Sequence, residues 1–325
     1  MRMAEINMVQ AINICLGQEM ERDDAVVLIG EDVGVDGGVF RVTDGLLERF
    51  GRERVIDSPL SESAIVGSSI GMAMAGLRPV AELQFMGFSY LALNQMIAHA
   101  ARMRNRTRGS LTVPIVVRMP YGGGVKALEH HSESTEALYC HIPGLVVVAP
   151  STPSEAKGLL ASSIRADDPV VFLEPKRSYR LMKEEVKEEE YTIPLSKARV
   201  VHEGEDVTVI GWGAMIPRIE RTMDSIEDAS VELIDLRTLS PWDEETVLSS
   251  VRRTGRAVIV HEAPRNCGVG AEIAATIGEE ALLTLEAPVG RVAAPDITVP
   301  LLKAEDYYYL GVERIERGIR RTLEF

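Results

Sequence analysis

Residues 57–84 read DSPLSESAIVGSSIGMAMAGLRPVAELQ: a turn, a carboxylate at a helix start, a helix of small residues, then a strand. Ser61 stands where a side-chain cap belongs, which places Glu62 in the first turn, where the positive end of the helix dipole favours a carboxylate. Ala64, Gly67, Ser68, Gly71 and Ala75 recur at spacings of three and four, leaving one helix face with almost no bulk. Glycine inside a helix costs roughly 1 kcal/mol relative to alanine. Two of them here point to close approach by another backbone, from this chain or another. On spacing alone Glu62 is either a dipole partner or a functional group.

The same alternation extends outward in both directions. A helical pattern over roughly 3–21 carries Ile6, Val9, Ala11, Ile12, Leu16 and Met20, and is followed by the continuous apolar run AVVLIG. Such runs suit strands buried on both faces of a parallel sheet. Glu31 and Asp32 lie just past it, before a glycine-rich loop, and the carboxyl ends of parallel strands are where α/β proteins place ligands. Then come RVIDSP, PVAELQF, a helix over 91–103, LTVPIVVR, LVVVAP and PVVFLEP. Thr152 and Glu155 form a capping-box pattern, with Pro153 at the first helical position. A second series, VTVIGWG, VELIDLR, RAVIVHE and VGRVAAP, follows a highly charged stretch, with one helix opened by Ser240-Pro241-Trp242-Asp243 and a last helix running to Phe325. The expectation is an α/β fold of two domains, residues 1–180 and 199–325, with mainly parallel sheets covered by helices and joined by a charged linker over 181–198.

Composition excludes several functions. With 35 basic and 49 acidic residues in 325, the formal charge of −14 argues against nucleic acid and anionic membranes. No apolar run reaches the ~18 residues of a membrane span, and the first residues lack signal-peptide character, so cytoplasmic residence is expected. Cys15, Cys140 and Cys267 are odd in number and unpaired by spacing, which reads as buried thiols. Gly211-Trp212-Gly213 has Ile216 where a dinucleotide fingerprint needs its third glycine, and GGGVKA at 122–127 lacks the spacing of a P-loop. Arginines at 102, 104, 106 and 108 are spread around a helix end, as in a solvated face or subunit contact.

Two adjacent histidines, His130 and His131, follow the glycine-rich loop after LTVPIVVR, where a site is expected; either is an acid/base candidate. Adjacent loop histidines converge poorly on one metal ion.

In order along the chain, IGEDVG, GGVFRVTDGL, DSPLSESAIVG, GMAMAGLRPVAELQF, HHSES, PGLVVVAPSTPSEAKGLL, ELIDLRTLSPWD and HEAP resemble the signatures of one family. It is the beta subunit of the thiamin-diphosphate-dependent decarboxylase component of 2-oxo acid dehydrogenase complexes, of pyruvate, branched-chain or acetoin type. The resemblance implies a transketolase-like pyrimidine-binding domain followed by a transketolase C-terminal-like domain. It assigns Glu62 to the aminopyrimidine of thiamin diphosphate, where its hydrogen bond favours the imino tautomer that generates the ylid. Glu31, Leu60, Gln84 and Phe88 match positions around that ring, and His131 matches the histidine that serves the substrate and the incoming lipoyl group. The diphosphate and magnesium motif of the family lies in the alpha subunit and has no counterpart here. Ser163, Ala166 and Asp168 match a potassium site of some relatives, with Asp168 in place of an asparagine. The implied assembly is an alpha2beta2 heterotetramer that decarboxylates a small 2-oxo acid and acylates the lipoyl group of an acyltransferase core. GGVFR and VELIDLRTLSPWD lean toward branched-chain substrates, with pyruvate or acetoin as alternatives. A non-catalytic assembly subunit, or a self-contained transferase, are readings of other classes.

Overall fold

The computed structural model describes residues 3–325. Each of the ten apolar runs contains a strand. In chain order the strands are β1 (Met3–Asn7), β2 (Val26–Gly30), β3 (Val55–Asp57), β4 (Arg78–Glu82), β5 (Val116–Tyr121), β6 (Val146–Val148), β7 (Val170–Pro175), β8 (Lys183–Lys187), β9 (Arg199–His202), β10 (Val207–Gly211), β11 (Val231–Asp235), β12 (Thr238–Ser240), β13 (Ala257–Pro264) and β14 (Gly290–Ala294).

The larger sheet has the order β12-β6-β7-β5-β4-β2-β3 and the smaller the order β14-β13-β10-β11-β9. Pairings are parallel except at the edges β12 and β9. Burial on both faces explains the unbroken β-branched runs, since side chains of either parity meet a helix. On one face, the helices Met8–Arg22 and Pro153–Arg165 bring Ile12, Leu16, Leu159 and Leu160 together. On the other, the helix Glu62–Met74 buries Ile65, Val66 and Ile70. Each such side chain contributes roughly 1.5–3 kcal/mol. The second cluster continues through Trp212, Ile234 and Leu239, so the two halves share a core.

Register places the site. Gly30 is level with both Asp57 and Glu82, and Glu82 with Arg118. The chain therefore leaves β2, β3, β4 and β5 along one sheet edge, bringing Glu31, the turn before Glu62, Gln84 and the loop after Tyr121 to the same side.

The structure departs from the sequence reading at several ends. Residues 3–7 form β1, paired antiparallel with β8, and the helix starts at Met8 behind a capping box of Asn7 and Gln10. The charged stretch is thus partly a strand, and the Lys157 ammonium ties it down through the carbonyls of Lys187, Glu188 and Glu189 at 2.6, 3.1 and 2.9 Å. Ser61 precedes the helix in extended geometry, but its hydroxyl makes no cap bond. The expected helix over 91–103 is broken into 3-10 turns and a π turn at Gln95–His99, which lays Gln95 against Gly67. Ser240 belongs to β12, and Asp243 caps the helix Glu244–Thr254 instead. The last helix ends at Leu323. At Thr152 the hydroxyl accepts from Glu155 N–H at 3.3 Å, but the Glu155 carboxylate turns to Ser151 N–H and to Arg237.

Candidate active site

At the end of β2, Glu31 is 9% exposed and Glu62 5%. Each keeps a buried carboxylate oxygen without a hydrogen-bond partner, Oε1 of Glu31 and Oε2 of Glu62. Burial pushes the Glu31 carboxyl above the usual carboxylate range, and the neighbouring Glu62 and Asp32 charges add to this, while the Ser61 N–H opposes it. That N–H therefore serves Glu31 rather than the helix start. Asp57 accepts Gly34 and Val35 N–H at 2.6 and 3.1 Å and holds the loop after β2. Gln84 donates to Asp32 at 3.1 Å, next to Glu31. Leu60, in the turn before Glu62, is 78% exposed.

A second group lies after β4 and β5. His131 meets the edges of Phe85 and Phe88 at centroid distances of 4.4 and 5.2 Å, and Phe85 in turn meets Phe40 at 5.5 Å. Burial lowers the proton affinity of His131, and the Lys176 and His130 charges lower it further against a smaller opposing effect of Glu129. Its Nδ1 is buried and unpartnered. His130, by contrast, is 57% exposed in its side chain and stands 3.5 Å from Glu133. The structure thus separates the two histidines that spacing left equal.

Glycines allow this packing. A Cβ on Gly87 would lie 2.2 Å from the His130 carbonyl, and one on Gly123 would lie 1.8 Å from the Tyr309 hydroxyl. The loop 122–136 is also gripped by the second half of the chain. Glu262 accepts Gly123 N–H at 2.9 Å, Tyr309 donates to Ser132 O at 2.7 Å, and Trp212 Nε1 donates to Glu136 at 3.3 Å. Lys176, 4% exposed, donates to the His131 carbonyl. These contacts were not read from the sequence, although Lys176 and Glu262 are charged residues at strand ends, the signal that singled out Glu31.

Beneath both groups a buried ion cluster fixes the strands. The Arg118 guanidinium bonds both Glu174 oxygens at 2.8 Å and reaches Glu82 on its other side, with Tyr179 also donating to Glu174. Glu82 lies two residues before Gln84, and Glu174 two before Lys176.

The orphaned oxygens of Glu31 and Glu62 and the aromatic wall of Phe85 and Phe88 fit a flat heteroaromatic ring with hydrogen-bonding nitrogens. Nothing comparable awaits a metal: among the described residues no cluster of three or more His, Cys, Asp or Glu side chains is arranged to hold one. Ser163, Ala166 and Asp168 stand at the opposite end of the sheet, before the start of β7. There Arg78 already bonds the Ile164 and Ala166 carbonyls at 3.1 and 2.9 Å, Arg104 pairs with Asp168 at 2.6 Å, and the Ser163 hydroxyl donates to Leu159 O at 2.7 Å. Two guanidinium groups fill this region, and it does not fit a potassium ion.

Residues 4–182 match the family model for the pyrimidine binding domain of transketolase, and residues 196–315 that for its C-terminal domain. Over 321 residues, 98% of both chains, the protein is 52% identical to the pyruvate dehydrogenase E1 component subunit beta of Acholeplasma laidlawii. The chain belongs to the beta-subunit family of 2-oxo acid dehydrogenase decarboxylases. Its relative of the same name in Staphylococcus epidermidis is 49% identical, with 99% of this chain and all of that one covered. A solved structure described as a split gene transketolase, inactive beta4 tetramer, superposes with a TM-score of 0.81 over 99% of both chains at 19% identity, which establishes the shared fold. The beta subunit is accordingly two transketolase-like α/β domains. No helix among its described residues is long and apolar enough to cross a membrane.

Proposed function

We propose that this beta subunit supplies the aminopyrimidine side of a thiamin-diphosphate site that an alpha subunit completes, and that the joined site decarboxylates a 2-oxo acid and acylates a lipoyl group. The observation that carries this reading is the pair of buried, incompletely bonded carboxylates, Glu62 and Glu31, at the carboxyl end of the sheet in a domain of the pyrimidine-binding family. Bound there, thiamin diphosphate supplies a nucleophilic carbon and an electron sink. Glu62 would hold a proton at Oε2 against a ring nitrogen, in a position fixed by the helix start and the level strand ends. Burial and the neighbouring Glu62 and Asp32 charges raise the proton affinity of Glu31, which eases the presence of a second carboxyl group beside it. Phe88, packed against Phe85 and His131, would stack on the ring. His131, whose surroundings favour the neutral imidazole, takes up or returns a proton at the incoming lipoyl sulfur. Diphosphate and magnesium belong to the alpha chain, and the uncovered small residues Ala64, Ser68, Gly71 and Ala75 offer a face for a close neighbour.

Pyruvate is the substrate that the names of the 49–52% identical relatives favour. A branched-chain 2-oxo acid is the second reading: the GGVFR segment puts Phe40 against Phe85, on the wall behind His131. Assay of the reconstituted tetramer against pyruvate, branched-chain 2-oxo acids and acetoin decides between them. The catalytic role itself is tested by Glu62→Ala in that tetramer. Decarboxylation should fall by a factor on the order of 100 or more; an unchanged rate with normal cofactor dependence would leave only a scaffold.

A further inference from the structure

Among the groups near His131, Lys176 is the one whose placement the proposed chemistry does not explain. A lysine ammonium is seldom buried without a reason, because removing it from water is costly. Here it is 4% exposed at the end of β7, with its Nζ against the His131 carbonyl and 5.4 Å from the centroid of the Phe85 ring that also touches the imidazole. Resting on the reading of His131 as the proton-transfer group, we propose that Lys176 is its positioning residue, pinning the His131 main chain from below and setting a positive charge beside the ring.

Two carboxylates of the second domain, Glu262 on β13 and Glu305 in the helix Glu305–Tyr308, favour the charged ammonium. Burial nevertheless draws Lys176 down to about 8, so it remains largely charged at pH 7. A cation in that position disfavours protonation of the imidazole. The other charged or titratable groups that face His131 are His130, which acts in the same sense, and Glu129, which opposes it. The carbonyl bond alone would need only a neutral donor. The buried charge is what separates positioning for proton transfer from plain loop support. The second domain would thereby govern the first domain's histidine through Glu262 and Glu305.

The test uses the reconstituted heterotetramer and reads His131 directly, from the pH dependence of its carbethoxylation by diethyl pyrocarbonate followed by peptide mass spectrometry. In Lys176→Met the titration midpoint of His131 should rise toward the ~6.5 of a free imidazole, and kcat for lipoyl acylation should fall about tenfold. Lys176→Gln keeps a donor without the charge and should show the same rise in midpoint. Lys176→Arg keeps the charge and should return the midpoint to the wild-type value. A midpoint that stays put in Lys176→Met or Lys176→Gln, whichever assembles, overturns the proposal. The underlying reading fails separately: unimpaired lipoyl acylation by His131→Asn would remove the role of the histidine, while the carbethoxylation midpoint would still report whether Lys176 acts on it.

Discussion

Individual side chains in this protein are tuned mainly by burial. Glu62 and His131 each keep a buried polar atom without a partner, and so do Glu136 and His261, which lie on either side of Trp212. The indole donates to Glu136 and stacks on His261 at 5.3 Å. Burial pushes Glu136 up to about 7 and His261 down to about 4. For His261 the unfolded chain gains a proton below about 6.5 that the folded chain refuses until about 4, so stability falls as pH drops through that window. The shift corresponds to about 3 kcal/mol. For Glu136 the folded state holds its proton to higher pH than the unfolded state, so its contribution is present below about 4.5 and is lost as pH rises through about 7. The two effects oppose one another between 4.5 and 6.5. Urea unfolding of Glu136→Gln should therefore lose about 3 kcal/mol more than wild type on acidification from pH 7 to 4; parallel pH curves would contradict this. At the site, His131→Asn should lower lipoyl acylation about 100-fold, with dye-coupled decarboxylation lowered by a smaller factor. Equal losses in both half-reactions would place the histidine in decarboxylation alone.

At the scale of elements, the Glu82–Arg118–Glu174 cluster is the feature on which the site's geometry depends. It joins β4, β5 and β7 just before Gln84 and Lys176 emerge. Replacing Arg118 with Met would leave two carboxylates buried without their cation and should cost 3–5 kcal/mol or so in chemical denaturation. A loss below about 1 kcal/mol would show the cluster to be dispensable. Strands such as AVVLIG and PVVFLEP were legible because a buried parallel strand must be apolar on both faces. β1 and β8 were not, since MAEIN and KEEVK are exposed edge segments whose pairing is tertiary and leaves no apolar period. The helix 91–103 was misread because apolar periodicity does not register the π turn at Gln95. Glu31 was legible from strand-end logic, but Lys176 and Glu262 acquire meaning only when the second domain closes on the loop 122–136. Singling out Glu62 from a plain helix-dipole partner took the ordered family motifs, since its spacing is that of any acidic first turn.

For the molecule as a whole, the proposed function makes the carboxyl edge of the larger sheet one half of a binding surface. The second domain reaches across to fix the loop that carries His131, through Glu262, Tyr309 and Trp212. In that reading Glu62, Glu31 and the Phe85–Phe88 wall would address a ring, while no metal-binding cluster among the described residues and no diphosphate motif in the sequence accompany them. A site divided in this way should be assembled by mixing. The most direct measurement is calorimetric titration of thiamin diphosphate and magnesium into this chain alone and into its mixture with the alpha subunit. The chain alone should show no saturable binding, the mixture should bind one cofactor per beta chain saturably, and the mixture made with Glu62→Ala should lose decarboxylation. Saturable binding and turnover by the isolated chain would contradict it.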